Sequence, residues 1–257
     1  MGLSMSQPLR ASHALVTGGG RGIGRAVASA LSQAGVTVTV LGRDRKVLEE
    51  AVAAGAAQAF AVADVTDEAA VSRAIAEAAA RQPIDILVAN AGAADSAPFG
   101  RTDAAMFHRM IDVNLMGVVH AVHAVAKPMA ERRQGRIVAI ASTAGLKGYG
   151  YVSAYVAAKH AVVGLVRSLA LELAPTGVTV NAVCPGFTDT DLVAGSLDLI
   201  MKKTGRSRED AVAELAKHNP QGRLVTPAEV ADTVLWLCGP GASAVTGQAI
   251  VVAGGEL

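Results

Sequence analysis

A doubly wound α/β domain, a parallel sheet of about seven strands with helices on both faces, is what this sequence predicts. Three observations carry the prediction. Short apolar runs alternate with helically spaced stretches along the whole chain. Most of those runs are continuously apolar, the signature of strands covered on both faces. A glycine-rich turn follows the first run and opens the first helix, the start of a nucleotide-binding βαβ unit.

The elements follow in order. Residues 13–17 form the first strand, and 22–34 a helix with Ile23, Val27, Ala30 and Leu31 on one face. A β-branched run at 36–41 precedes a second helix at 44–54. Further strands are expected at 59–62, 84–89, 136–141, 178–183 and 248–252, with helical segments between most of them. The rhythm breaks at 188–223, a more polar insertion carrying Lys202, Lys203, Arg206 and Arg208. Two short helices are expected there, either as a substrate lid or as a surface excursion.

Composition narrows the function classes. At 257 residues, 51% hydrophobic and 18% charged, the chain suits one large domain and excludes a disordered one. A net charge of +1 gives no reason to expect a nucleic-acid or anionic-membrane partner. Aromatic residues at 3% favour tight helix-on-sheet packing over an aromatic-lined groove. Cys184 and Cys238 read as buried thiols of a reducing cytoplasm. No membrane span is expected, for want of a run of about 18 apolar residues. The scattered histidines, with no metal-ligand spacing, disfavour a metal site. Residues 1–11 read as a short mobile tail ahead of a domain at 12–257. Gly2 and Ser6 match an acylation pattern short enough to arise by chance.

The turn reads Thr17-Gly18-Gly19-Gly20-Arg21-Gly22-Ile23-Gly24. Glycines at 18, 22 and 24 allow a sharp turn and close approach to a pyrophosphate, which the free N–H groups of the helix start would face. Tyr155 and Lys159 lie four residues apart on one helical face. A free phenol has a pKa near 10, and a neighbouring ammonium would lower it and make Tyr155 an acid/base. Ser142 ends the fifth strand, where ligands bind in such sheets, and its hydroxyl could hold a substrate oxygen.

The spacing Thr-Gly-x-x-x-Gly-x-Gly resembles the short-chain dehydrogenase/reductase family, a Rossmann fold. So do Asp64, Asn90-Ala91-Gly92, Asn114, Ser142, Tyr155, Lys159 and Pro185-Gly186, in that order. The resemblance covers roughly residues 12–255 and departs at Ala89, where the family commonly has a second asparagine, largely a structural tie. It implies a dinucleotide held by Gly18, Gly20, Arg21, Gly22, Ile23, Gly24, Arg43, Asp64, Val65, Asn90, Ala91, Gly92, Tyr155, Lys159, Pro185, Gly186 and Thr188. It further implies that the side chain or local backbone of Asn114 orders a water behind Lys159, completing a proton relay. Lys159 would also reach the nicotinamide ribose.

Cofactor choice turns on the end of the second strand. Family members that use NAD tend to carry Asp at the position of Gly42, and NADP users a small residue followed by Arg, as in Gly42-Arg43. Arg43 and Arg21 could clamp a 2′-phosphate, or Asp44 could read the ribose hydroxyls. NADP(H) is favoured and NAD(H) is the alternative. The implied reaction interconverts a ketone and a secondary alcohol, with 3-oxoacyl thioesters leading and small cyclic or aromatic alcohols second. The basic group at 202–208 could meet phosphates of coenzyme A or a carrier protein. A non-catalytic nicotinamide-sensing protein is the alternative of another class, and retention of both Tyr155 and Lys159 counts against it. Family members are commonly tetramers, so a homo-oligomer is expected.

Overall fold

In the computed structural model, Leu9 and residues 12–257 apart from Arg206 are described, so Gly2, Ser6 and Arg206 lie outside the described residues. The strands are β1 (His13–Thr17), β2 (Thr37–Gly42), β3 (Ala59–Val62), β4 (Ile86–Ala89), β5 (Gly135–Ile140), β6 (Val178–Pro185) and β7 (Ala249–Val252). The helices are α1 (Gly22–Gln33), α2 (Arg45–Ala53), α3 (Glu68–Arg81), α4 (Ala104–Ile111), α5 (Gly117–Arg132), α6 (Ser153–Leu173), α7 (Asp191–Thr204), α8 (Arg208–Ala216) and α9 (Pro227–Cys238). The strands form one sheet in the order β3-β2-β1-β4-β5-β6-β7, with every pairing parallel.

Alternation along the strands divides the interior into two layers. Leu15, Leu87 and Ile137 face one way and pack on Val71 and Ile75 of α3, Val122 of α5 and Val162 and Val166 of α6. Ala14, Val16, Ile86, Val88 and Val138 face the other way, onto Val27 and Leu31 of α1, Leu48 of α2 and Val230, Val234 and Leu237 of α9. Central strands must therefore be apolar at every position, which is why no alternating pattern was legible in them. Cys184 and Cys238 are buried free thiols, and burial pushes them up to about 11 and about 12.

Helix α6 departs from the sequence expectation. With the short turn after it, Ser153–Thr176 is long and apolar enough by length and composition to cross a membrane. It nevertheless carries the buried Lys159 and lays Ala158, Val162 and Val166 inside the fold.

The insertion does form two helices, though α7 runs 14 residues. Its two ends are tied together where Thr188 bridges Val225, and Arg223 holds Glu229 with bonds of 2.6 and 2.8 Å. Glu229 also closes a capping box with Thr226 at the start of α9. Hydrogen bonding from Arg223, then from the Thr226 N–H, holds the Glu229 carboxyl at about 2, below its unfolded value of 4.5. The stabilisation is present at neutral pH and is lost as pH falls through about 2. Thr226→Ala is expected to cost about 1 kcal/mol, read as a lower urea midpoint with an unchanged slope.

Candidate active site

The sheet grows in opposite directions from β1 and β4, and the carboxyl ends of these neighbours bound a crevice. The turn from Thr17 to Gly24 lines it. Gly18 and Gly22 sit at φ +65° and +52°, a backbone that side chains resist. A Cβ at Gly24 would stand 2.3 Å from the Gly18 carbonyl oxygen, and one at Gly20 would stand 2.7 Å from Val47. Helix α1 starts at Arg21 with no side-chain cap and no acidic residue in its first turn. Its first N–H groups are thus left for an anion, the arrangement a pyrophosphate needs. Ile23 is half-buried beside them.

Asn90 braces this turn. Its amide donates to the carbonyls of Thr17 and Gly18 at 3.0 and 3.2 Å, and the Asn90 and Ala91 N–H groups both donate to the Thr17 hydroxyl. At the ribose end, Arg21 pairs with Asp44 at 3.8 Å and Arg43 with Asp64 at 3.5 Å, all at the surface. Asp44 caps α2 through the Val47 N–H. Asp64 accepts from the Thr66 N–H and hydroxyl; these bonds and Arg43 outweigh burial and hold its carboxyl below the usual value. The Val65 side chain is buried against Gly117, and its carbonyl accepts from His120.

The second group converges across the crevice. The Tyr155 and Ser142 side chains are close enough to interact, and Ser142 Oγ accepts from the Ala144 N–H. Lys159 is 4% exposed; its Nζ donates to the Ile140 carbonyl at 2.9 Å and lies 5.7 Å from the centre of the Tyr155 ring. Asn114 is fully buried in a π-helical turn, Asp112–Met116, between α4 and α5. A Cβ on Gly92 would come within 2.8 Å of Asn114 Oδ1 and 3.6 Å of Lys159 Nζ, so Gly92 keeps these two groups close to the end of β4. Pro185 ends β6, Gly186 donates to the Val252 carbonyl, and the buried Thr188 hydroxyl donates to the Gly186 carbonyl. Thr190, at the start of the insertion, lies against Gly22, with its methyl 3.4 Å from where a Cβ would stand.

Residues 12–200 match the protein family described as short chain dehydrogenase. The chain belongs to the short-chain dehydrogenase/reductase family. It is an oxidoreductase, and the family binds NAD(P). A solved actinorhodin polyketide ketoreductase with NADPH superimposes with a TM-score of 0.91 at 37% identity, covering 96% of this chain and 97% of that one. The 2-(S)-hydroxypropyl-CoM dehydrogenase 3 of Xanthobacter autotrophicus is 40% identical over 98% of each chain. The 3-oxoacyl-acyl-carrier-protein reductase MabA of Mycobacterium bovis is 35% identical over 96% of this chain and 94% of its own.

The geometry bears on three expectations about this family member's site. The Asn114 side chain is well engaged: Oδ1 accepts from the Ala93 N–H at 3.3 Å, and Nδ2 donates to the carbonyls of Ala93 and Met110, which leaves one lone pair of Oδ1 for a water. Both readings, the side chain and the local backbone of the π-turn, stay open. At the departure from the family pattern, Ala89 is buried in β4, and its neighbour Asn90 ties Thr17 and Gly18. Burial raises the Tyr155 phenol more than the Ser142 side chain lowers it, and Lys159 Nζ lies 5.7 Å from the ring centre; the expected lowering by the ammonium draws in addition on the positive charge of an oxidised nicotinamide.

Tyr149, which by sequence either borders the substrate pocket or packs locally, is joined by two rings that sequence reasoning did not connect to it. Tyr149, Phe187 and His218 form a ring cluster with centroids 5.4–5.9 Å apart. An aromatic surface thus exists despite the aromatic-poor composition. Glu256 lies against this surface, joined to Tyr149 and to Lys147. Nothing local marks residue 256; only the return of the chain beside β6 brings it there. Among the described residues, no group of three or more His, Cys, Asp or Glu could hold a metal ion.

Proposed function

We propose that this chain interconverts a ketone and a secondary alcohol, with Tyr155 as general acid/base, Ser142 as oxygen anchor and Lys159 as the buried cation beside them. The convergence of Ser142, Tyr155 and Lys159 across the crevice from the glycine turn carries the reading. The bound dinucleotide supplies or takes up the hydride. In reduction Tyr155 gives its proton to the carbonyl oxygen while Ser142 donates a hydrogen bond to the same atom as charge develops there. In oxidation the same pair removes the hydroxyl proton. Asn114 holds the Ala93 loop and the π-turn in register, and its side chain or its main chain completes a relay behind Lys159.

Gly18–Gly24 and the start of α1 would hold the phosphates of the dinucleotide, with Asn90, Ala91 and Gly92 beside it, and Asp64 and Val65 would serve its adenine and Pro185, Gly186 and Thr188 its carboxamide. NADP(H) is the favoured form. Arg21 and Arg43 are exposed, and their surface ion pairs cost little to exchange for a 2′-phosphate. Arg43→Ala is expected to raise the KM for NADPH about tenfold, the loss of one charge-assisted contact of about 1.4 kcal/mol, and to leave that for NADH unchanged. Equal changes for both would remove the 2′-phosphate from the argument.

The leading substrate is a 3-oxoacyl thioester or its 3-hydroxy counterpart, supported by the relatives named for such ketones. Residues 188–223 act as the lid of a domain spanning 12–257, and Lys202 and Arg208 on the exposed side of that lid are the described cations that could meet a carrier phosphate. The ring cluster of Tyr149, Phe187 and His218 favours a second reading, a small cyclic or aromatic ketone. A panel of acyl thioesters and cyclic ketones, assayed with NADPH and NADH separately, decides between them. Dinucleotide binding without turnover of any ketone would favour a sensor. Mass measurement in solution tests the expected homotetramer.

A further inference from the structure

Glu256, next to the last residue of the chain, is the least expected group near the crevice. Its side chain is 2% exposed, and two donors converge on Oε1: the Tyr149 hydroxyl and the Lys147 ammonium, the latter at 3.0 Å. Its second oxygen is buried with no hydrogen-bond partner among the described residues. A carboxylate placed only for stability would have both oxygens satisfied, since a buried unpaired acceptor is costly.

The contacts lead toward the reacting pair. Tyr149 OH is 2.6 Å from the Thr143 hydroxyl, and Thr143 adjoins Ser142. The Thr143 carbonyl accepts from the N–H groups of Leu146 and Lys147, and the Ser142 carbonyl from that of Gly145, so 142–147 is one compact turn. Glu256 grips it at Lys147 directly and at Thr143 through Tyr149. The grip is itself seated: a Cβ on Gly254, at φ +60°, would fall 1.9 Å from the Asn219 amide oxygen at the end of the insertion. The tail therefore passes between the insertion and the Ser142 turn in a path that glycine alone permits.

We propose that Glu256 is a positioning residue, which acts through Tyr149 and Lys147 to hold the Ser142 turn so that the Ser142 hydroxyl meets the same oxygen as Tyr155. The proposal rests on the reading of Ser142 and Tyr155 as the reacting pair. Small displacements of such groups cost up to about a hundredfold in rate.

The test is a cycle of Glu256→Ala, Tyr149→Phe and the double variant, assayed on a ketone the unaltered protein reduces, with dinucleotide affinity and melting temperature measured alongside. Each single variant should lose about tenfold to a hundredfold in kcat, with KM and dinucleotide Kd changed less than about twofold. The double variant should be no worse than the poorer single one, because Tyr149 acts on the turn through its contact with Glu256. Glu256→Gln, whose amide oxygen still accepts from Tyr149, should recover most of the rate. Multiplying losses would overturn the proposal. So would full kcat in Glu256→Ala, or a melting-temperature drop with kcat per folded molecule unchanged. If those results come with an inactive Tyr155→Phe protein, the reading of the reacting pair survives and only the role of Glu256 falls. A fully active Tyr155→Phe protein would overturn both.

Discussion

Tyr155→Phe should leave dinucleotide binding intact and slow ketone reduction by about 10²–10⁴, the usual contribution of one positioned proton donor. The ring survives the change, so its packing with Met110, Ala154 and Ala158 and its contact with the Lys159 ammonium are kept. Only the hydroxyl and its interaction with Ser142 go. Burial raises the Tyr155 phenol above its ordinary value of 10, so the protein by itself holds it protonated at neutral pH, the form reduction needs. Oxidation needs the phenolate. Its rate should climb as pH rises from 7 to about 10, whereas reduction should gain nothing over that range. Steady-state rates in both directions, with Kd from cofactor fluorescence, check this. A Phe variant that reduces ketones at the original rate would end the proposed mechanism.

The contrast between what the sequence disclosed and what it hid follows sequence distance. The glycine turn is local: spacing alone marks Gly18, Gly22 and Gly24, and the positive φ at 18 and 22 is what glycine there serves. Tyr155 and Lys159 are legible because a helix sets their relation. Their electrostatics were not, because the direction in which the ammonium points depends on the Ile140 carbonyl, 19 residues away on another element. Burial, which no spacing rule reports, opposes the expected acidification of the phenol. The same reasoning covers Asn114, whose motif marks the residue but not its bonds to Ala93 and Met110. Glu256 and Tyr149 are 107 positions apart, and no spacing rule connects them. Strand boundaries moved by at most a residue or two, since each long apolar run has only one way to be covered on both faces.

Lys159→Met should cost about 10²-fold or more in turnover and yet leave the fold as stable at pH 7, or more so. The ammonium is buried with one described acceptor, and burial lowers its pKa from 10.5 to about 8. Between those values the unfolded chain holds more protons than the folded one, so the stability of the unaltered protein rises with pH across that window. Below about 8 the full penalty of a buried charge is present. Methionine removes that penalty, worth up to roughly 3 kcal/mol at 1.4 per unit, but leaves the Ile140 carbonyl unpaired at a cost of about 1–3. The two nearly offset at pH 7, and the balance should turn against the variant as pH approaches 10.5. Reduction by the unaltered protein should also fall above pH 8 as the ammonium is lost, a break the variant must lack. Urea melts and kcat profiles from pH 6 to 10 read both effects. A variant destabilised by the same amount at every pH, with the kinetic break retained, would mean that this lysine is not the titrating group and that its charge plays no part in the reaction.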